Sequence, residues 1–222
     1  MKNYSPIDLL INLTMVQKLF SCKSLRYSIG YKKILKDISF SLQLASCVLV
    51  TGDNGSGKST LLRVLSNYTK FSQFISWDVG LDAKRVKVSY AGHQLGLYSS
   101  LTLQENIDYF NGILSHPMQP EQIEIFLEVF QLKKRRYDPI TTFSQGMKQK
   151  AALIRSFLPQ PYVYLLDEPM VGLDKKSIEQ FLYILTQLKQ QSSLLVVSHN
   201  PQLLQSVTDA GLHIEAGCSR YV

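Results

Sequence analysis

Short apolar runs without polar alternation occur at Cys47-Val48-Leu49-Val50, Tyr162-Val163-Tyr164-Leu165-Leu166 and Leu194-Leu195-Val196-Val197. Such runs predict strands buried on both faces, as in a parallel sheet covered by helices. Leu19–Tyr27 and Ile38–Leu44 alternate or run apolar with β-forming residues, and Gly30-Tyr31-Lys32-Lys33 between them predicts a hairpin connection. Val86-Lys87-Val88-Ser89-Tyr90 predicts a further strand.

From Ser99 to Leu158 the period becomes helical. Thr102-Leu103-Gln104-Glu105 has the form of a capping box, with a Thr cap and a Glu three residues later. Gln119–Phe130 carries Ile123, Phe126, Leu127 and Phe130 at helical spacing behind Pro120. A third helical pattern opens at Ser144 and is closed by Pro159 and Pro161. Lys58–Ser66 and Lys175–Gln190 read as helices that follow strands. Strands alternating with helices predict an α/β fold with a mostly parallel sheet. The expected organisation is an N-terminal extension over 1–19, with a short lead-in helix at Asp8–Leu19, and one domain over 20–222. That domain has a core of 20–90 and 159–222 and an inserted helical subdomain of 91–158.

Composition adds exclusions. The 222 residues are 45% hydrophobic and 10% aromatic, which supplies a sizeable core and excludes a disordered chain. No uninterrupted apolar stretch reaches the roughly 18 residues of a membrane span, so a membrane role requires a partner that spans. The formal charge of +7 is scattered, and its densest run, Lys133-Lys134-Arg135-Arg136, reads as a solvated helix end. No nucleic-acid partner is expected. Cys22, Cys47 and Cys218 have no metal-like spacing, and with no secretory signal they point to a reducing compartment.

The chemistry is concentrated at the ends of the apolar runs. Gly52-Asp53-Asn54-Gly55-Ser56-Gly57-Lys58-Ser59 fits G-x-x-x-x-G-K-[ST] between a strand and a helix beginning near Thr60. In that context the backbone N–H groups bind phosphate oxygens, the helix N-terminus adds partial positive charge, Lys58 reaches the β- and γ-phosphates, and Ser59 meets Mg²⁺. Asp167 ends an apolar strand, where a carboxylate faces the phosphate loop and can hold Mg²⁺. Glu168, next along, can accept a proton from an attacking water. His199 follows another buried strand, which places its imidazole at the same rim. Gln94 follows a strand end and can bind Mg²⁺ or water through its amide.

Together these residues resemble the ATP-binding cassette ATPases, from about Phe20 to Ala210. Six motifs stand in the family's order. They are the phosphate loop, the lid glutamine Gln94, the signature segment Thr142–Lys150, the strand Leu165-Leu166-Asp167-Glu168-Pro169, the D-loop Gly172-Leu173-Asp174 and the switch histidine His199. The resemblance implies a small antiparallel β subdomain beside the core. It also implies ATP and Mg²⁺ as cofactors (Mg²⁺ held by Ser59, Gln94 and Asp167), with Glu168, His199 and Gln94 as catalytic residues. ATP is then sandwiched in a head-to-tail dimer against Ser144, Gln145 and Gly146 of a second copy. The signature departs from the usual Leu-Ser-Gly-Gly-Gln: here it is Phe143-Ser144-Gln145-Gly146-Met147. Ile29 occupies the usual place of the adenine-stacking aromatic, and Tyr31 is the expected substitute, with Tyr27 nearby.

The segment Gly92-His93-Gln94-Leu95-Gly96 through Leu101-Thr102-Leu103-Gln104-Glu105-Asn106 is similar to the lid region of the haem-exporter ATPases of cytochrome c maturation, the CcmA group. That likeness implies an integral membrane subunit of the CcmB type and a haem-handling membrane protein of the CcmC type as partners. It also implies a peripheral position, on the cytoplasmic face of a bacterial inner membrane or the matrix face of a mitochondrial one. An exporter ATPase for another small molecule or lipid shares all the catalytic residues and is the alternative.

Overall fold

The computed structural model describes residues 18–77, 87–92 and 95–221. The expected lead-in helix at Asp8–Leu19 and the residue Gln94 therefore lie wholly or almost wholly outside the described residues; Leu19 itself is in a strand. Strands β1 (Lys18–Ile29) and β2 (Lys32–Gln43) form the expected hairpin, with the connection shortened to Gly30-Tyr31. β3 (Cys47–Thr51) leads through the glycine loop into α1 (Lys58–Ser66). Then come β4 (Ile75–Trp77), β5 (Val88–Ala91), and the helices α2 (Leu103–Gly112), α3 (Pro120–Val129) and α4 (Gln145–Phe157). The chain closes with β6 (Val163–Asp167), α5 (Lys175–Lys189), β7 (Ser193–Val197), β8 (Ala210–Glu215) and β9 (Cys218–Tyr221).

The described strands form one sheet in the order β4-β1-β2-β9-β8-β3-β7-β6-β5. From β8 to β5 every neighbouring pair is parallel, whereas β4, β1 and β2 pair antiparallel at the other end. The apolar runs are explained by what covers the two faces. Val48, Val50, Leu165, Leu195 and Val197 share one core with Leu61, Leu62 and Leu65 of α1. Their alternates Leu49, Leu166, Leu194 and Val196 share another with Leu103, Ile107, Phe126, Phe157 and Phe181 of the helices. Successive strand residues point to opposite faces, so covering both faces requires apolar residues at every position.

The helices begin where local chemistry directs. Thr102 caps α2: its hydroxyl accepts from the Glu105 N–H at 3.1 Å, and Glu105 Oε2 accepts from the Thr102 N–H at 2.7 Å. Asn106, fully buried, takes the Tyr98 N–H on Oδ1 at 2.8 Å and donates to the carbonyls of Tyr98 and Thr102, clamping the approach to α2. The basic run is tied up in ion pairs: Lys133 with Glu124 and Glu128, Arg135 with Asp138, Arg136 with Glu124. The run forms a short 3-10 turn, Lys133–Arg135, beyond the end of α3, in place of the helix end expected.

β4, β8 and β9 have no counterpart among the strands read from the sequence. β4 is three residues long and follows a polar stretch. β8 and β9 form a hairpin over Ala216-Gly217, both with positive φ (48° and 82°), as a two-residue turn requires.

Candidate functional site

The functional residues collect at the carboxyl ends of the central parallel strands, where open α/β sheets bind ligands. β3 ends in the glycine loop, β6 ends in Asp167, and β7 runs into Ser198 and His199. A cavity of about 420 Å³ lies at these strand ends, lined by Lys32, Asn54, Gly55, Gly57–Thr60, Glu168 and His199. A similarly sized apolar cleft between α3 and α5, lined by residues such as Ile125, Phe126, Tyr183 and Leu188, contains none of these motifs.

Gly57 is the N-cap of α1 and has φ 111°, in the left-handed region that glycine occupies without penalty. No side chain caps this helix and no acidic residue occupies its first turn. Its unpaired N–H groups and positive dipole end therefore face the cavity, an arrangement suited to phosphate. The Ser56 hydroxyl is buried with no hydrogen-bond partner among the described residues. Lys58 Nζ donates to the carbonyls of Gly52 at 2.7 Å and Asp53 at 2.9 Å. An ammonium has three donors, so one is left to reach a ligand.

Asp167 is 2% exposed. Strand alternation puts it on the same face as Leu165, the α1 face, and Ser59 Oγ donates to its Oδ1 at 3.0 Å. A hydroxyl and a carboxylate beside a phosphate site are the hard oxygen donors that Mg²⁺ takes, and the pair fits that ion. Tyr90 brings a second hydroxyl to this carboxylate, 3.4 Å from Oδ2, a contact that the sequence reading did not identify.

Glu168 has φ 53°, which costs a non-glycine residue roughly 1–2 kcal/mol. The conformation is fixed on both sides. The Glu168 N–H donates to the Val197 carbonyl at 3.0 Å, and Glu168 Oε2 accepts from the His199 N–H at 3.1 Å. Oε1 lies 3.4 Å from His199 Nε2 without meeting hydrogen-bond geometry, and it is buried. The turn away from strand geometry is what aims Glu168 into the cavity, while Asp167 faces α1.

Ser144 caps α4, accepting from the Met147 N–H at 3.3 Å, and no acidic residue occupies the first turn. Ser144, Gln145 and Gly146 line no part of the phosphate cavity. Gly146 instead abuts the D-loop: a Cβ there would lie 2.5 Å from the Gly172 carbonyl oxygen. Asp174 caps α5 through the Ser177 N–H at 2.9 Å and pairs with Lys150 at 3.2 Å. Bonds from the Ser177 N–H and hydroxyl, and then Lys150, hold its carboxyl down to about 2. The signature helix and the D-loop are thus bolted together.

Tyr31, the aromatic expected to stack on the base, lies at the hairpin tip next to Lys32, which lines the phosphate cavity. Tyr31 itself protrudes fully exposed from the two-residue turn and lines neither the phosphate cavity nor the hollow beside it. Tyr27 packs edge-on against Phe71 at 5.8 Å, and Ile29 with Thr60 and Arg63 lines a hollow of about 410 Å³ next to α1.

Comparison with known proteins agrees with this geometry. The ABC transporter family matches residues 35–171. The ABC transporter ATP-binding protein NatA of Bacillus subtilis is 31% identical over 197 residues, covering 83% of this chain and 79% of its own. The cytochrome c biogenesis ATP-binding export protein CcmA of Cupriavidus pinatubonensis is also 31% identical, over 193 residues, covering 84% and 85%. A dimeric ATP-binding cassette solved in a post-hydrolysis state with ADP and Pi has the same fold, with TM-score 0.74, 21% identity, and 92% and 98% of the two chains covered. Among the described residues no helix is long and apolar enough to cross a membrane. The chain belongs to the ABC transporter family, as an ATP-binding, ATP-hydrolysing subunit.

Proposed function

We propose that this ATPase drives a membrane complex of cytochrome c maturation, coupling ATP hydrolysis to haem export or haem handling. The observation that carries this reading is the segment Gly92–Asn106, which is similar to the lid region of the CcmA group. Its helix start is a capping box followed by Asn106, whose buried amide clamps Tyr98. The CcmA of C. pinatubonensis, at 31% identity over most of both chains, supports the same assignment. Beside the clamp Tyr98, Tyr109 and Ile113 are exposed large apolar side chains, with Tyr98 and Tyr109 edge-to-face at 5.1 Å. Such side chains suit an apolar element of a membrane partner. In this reading that partner is a subunit of the CcmB type, with a haem-handling protein of the CcmC type beside it, and the ATPase is held peripherally on the membrane.

The residues divide the work as follows. The glycine loop and the N-terminus of α1 bind the phosphates, and Lys58 contributes its remaining donor to the β- and γ-phosphates. Ser59 and Asp167 would hold Mg²⁺, with Gln94 as a further ligand. Bound Mg²⁺ supplies charge neutralisation on the phosphate oxygens. Glu168 Oε1, buried and without a hydrogen bond, accepts the proton of the attacking water. His199, fixed through its N–H to Glu168, offers its imidazole to the γ-phosphate.

One chain leaves the γ-phosphate side open, because its own signature does not line the cavity. A second copy, head to tail, supplies Ser144, Gln145 and Gly146 there, and the helical subdomain of about 91–158 moves with closure. The solved relative that is a dimer supports this arrangement. The effect of Gln145 and Met147 in place of the usual Gly and Gln then falls on closure, since the cap residue Ser144 and Gly146 are kept.

A second reading is the ATPase of an exporter for another small molecule or lipid. NatA, an ABC transporter ATP-binding protein whose name carries no link to cytochrome c, matches at the same 31% identity and so leaves this reading in place. Purification of the tagged chain from detergent-solubilised membranes, followed by mass spectrometry of the co-purifying membrane protein, separates the two. A CcmB-like partner supports haem handling. A partner unrelated to cytochrome c maturation defeats it and leaves the ATPase in place.

A further inference from the structure

Asp167 meets two hydroxyls. Ser59 donates to Oδ1 at 3.0 Å from the phosphate-loop side. The Tyr90 hydroxyl faces Oδ2 at 3.4 Å from the neighbouring strand β5. β5 pairs in parallel with β6 through Tyr90↔Leu165 and Ala91↔Leu166, so Asp167 sits one step beyond the last pair. Tyr90 reaches it only by laying its ring forward over the next residue on its own face, Gly92.

Gly92 makes that possible. A Cβ at Gly92 would lie 2.0 Å from the Tyr90 hydroxyl oxygen, 2.4 Å from Cζ and 3.0 Å from Cε1. Any side chain there would push the ring off the carboxylate. The Tyr90 backbone is fixed as well: its carbonyl accepts from Arg155 Nη2 of α4 at 3.3 Å. The Arg155 guanidinium in turn stacks over the Phe110 ring at 5.4 Å.

We propose that Tyr90 is a positioning residue for phosphoryl transfer, whose hydroxyl, seated on Gly92, fixes the second oxygen of the Asp167 carboxylate so that the first faces Ser59 and the metal. The proposal rests on the reading in which Asp167 serves Mg²⁺. Tyr90 does not line the phosphate cavity and acts through Asp167. Through Arg155, the same residue ties the carboxylate to the signature helix.

The test compares the full-length chain with Tyr90→Phe, which keeps the ring on Gly92 and removes only the hydroxyl. ATP hydrolysis is measured against free Mg²⁺, and fluorescent-ATP affinity is measured in EDTA and in Mg²⁺. Groups that orient a ligating carboxylate are worth about 10- to 100-fold in metal affinity, and a contact as long as this one belongs at or below the low end, about 3- to 10-fold. The expected result is a Mg²⁺ midpoint raised by about that factor, a Mg²⁺-dependent gain in ATP affinity that shrinks in step, and unchanged affinity in EDTA and melting temperature. Gly92→Ala should shift the midpoint in the same direction and lower the melting temperature. Adding Tyr90→Leu to it should restore the melting temperature but not the midpoint, separating packing from carboxylate positioning. A Tyr90→Phe midpoint equal to wild type, with equal Mg²⁺-dependent affinity, overturns the proposal and leaves the ATPase intact. A wild-type chain that gains no ATP affinity from Mg²⁺ removes the underlying reading of Asp167, and this proposal with it.

Discussion

Glu168→Gln separates chemistry from architecture at the strained position. The substitution keeps the shape, the φ of 53° and an oxygen to accept from the His199 N–H, now at 3.1 Å. The rest of the amide falls where Oε1 now stands, 3.4 Å from His199 Nε2. The Glu168 N–H bond to the Val197 carbonyl is a backbone contact and is untouched. Stability should therefore change little, because the backbone bond to Val197 and an acceptor for the His199 N–H are both kept. Turnover should not survive. An amide has no lone pair basic enough to take a proton from water, and general-base catalysis is worth about 10²- to 10⁴-fold. At about 1.36 kcal/mol per factor of ten, that is about 2.7–5.5 kcal/mol of barrier. The assay is phosphate release under saturating Mg²⁺ and ATP, paired with thermal unfolding and with size-exclusion chromatography in ATP. The variant should bind nucleotide, melt like wild type and accumulate as an ATP-bound dimer. A variant with normal melting that retains more than about a tenth of wild-type turnover would remove Glu168 as the base, because the loss is then below what a base contributes.

Phe157→Ala should cost about 3–5 kcal/mol by urea unfolding, since its fully buried ring meets Phe126, Tyr164 and Phe181 at 5.3–6.4 Å and nothing nearby can fill the space. Asp174 gives a pH signature. Its folded-state carboxyl, near 2, is below the unfolded value of about 4, so its stabilisation is complete above about pH 4 and is lost as pH falls toward 2. Asp174→Asn should flatten the acid limb of a stability-against-pH curve in that window. Of the three cysteines only Cys218 should be alkylated at pH 8 in the folded protein, because Cys22 and Cys47 are buried and burial pushes both thiols up to about 12. Intact-mass analysis should show one adduct, rising to three in denaturant.

The parts of the fold visible in the sequence are those where one physical cause acts locally. Val48 to Val50 and Leu194 to Val197 read as buried strands because both faces of the sheet are covered, which leaves no polar position. Thr102 and Glu105 read as a helix start because the cap needs only residues three apart. β4 was hidden because an edge strand of three residues has too few positions to show a period. β9 was hidden because one of its four residues is an Arg and none is buried: Cys218 to Tyr221 are held by pairing to β8. At the site, the phosphate loop, Asp167, Glu168 and His199 follow directly from strand ends. Tyr31 as the base-stacking residue rests on the resemblance alone, because a place near the hairpin does not by itself separate it from Tyr27. Tyr90 was invisible because its role depends on Gly92 lacking a Cβ and on β5 lying beside β6, neither of which is a spacing.

The proposed head-to-tail dimer gives a use to two helix ends that the fold holds apart. α1 and α4 both begin without an acidic residue in the first turn, so both N-termini are electrostatically suited to phosphate. Only α1 opens into the cavity with Glu168 and His199. α4 cannot simply swing toward it. Gly146 is packed on Gly172 closely enough that a methyl group would not fit, and Lys150 is buried against Asp174, the cap of α5. In the proposed dimer that helix end would meet the nucleotide of the other copy. Lys150→Met tests the bolt itself. It keeps the buried volume and removes the ion pair with Asp174, while the Ser177 N–H still satisfies the other carboxylate oxygen. ATP affinity of the monomer should be unchanged, because Lys150 touches nothing in the phosphate cavity. The ATP-bound dimer of Lys150→Met combined with Glu168→Gln should dissociate faster than that of Glu168→Gln alone, since the α4 end is then less well aimed. Equal dissociation rates would mean that the Lys150–Asp174 pair stabilises the fold without orienting the second anion site.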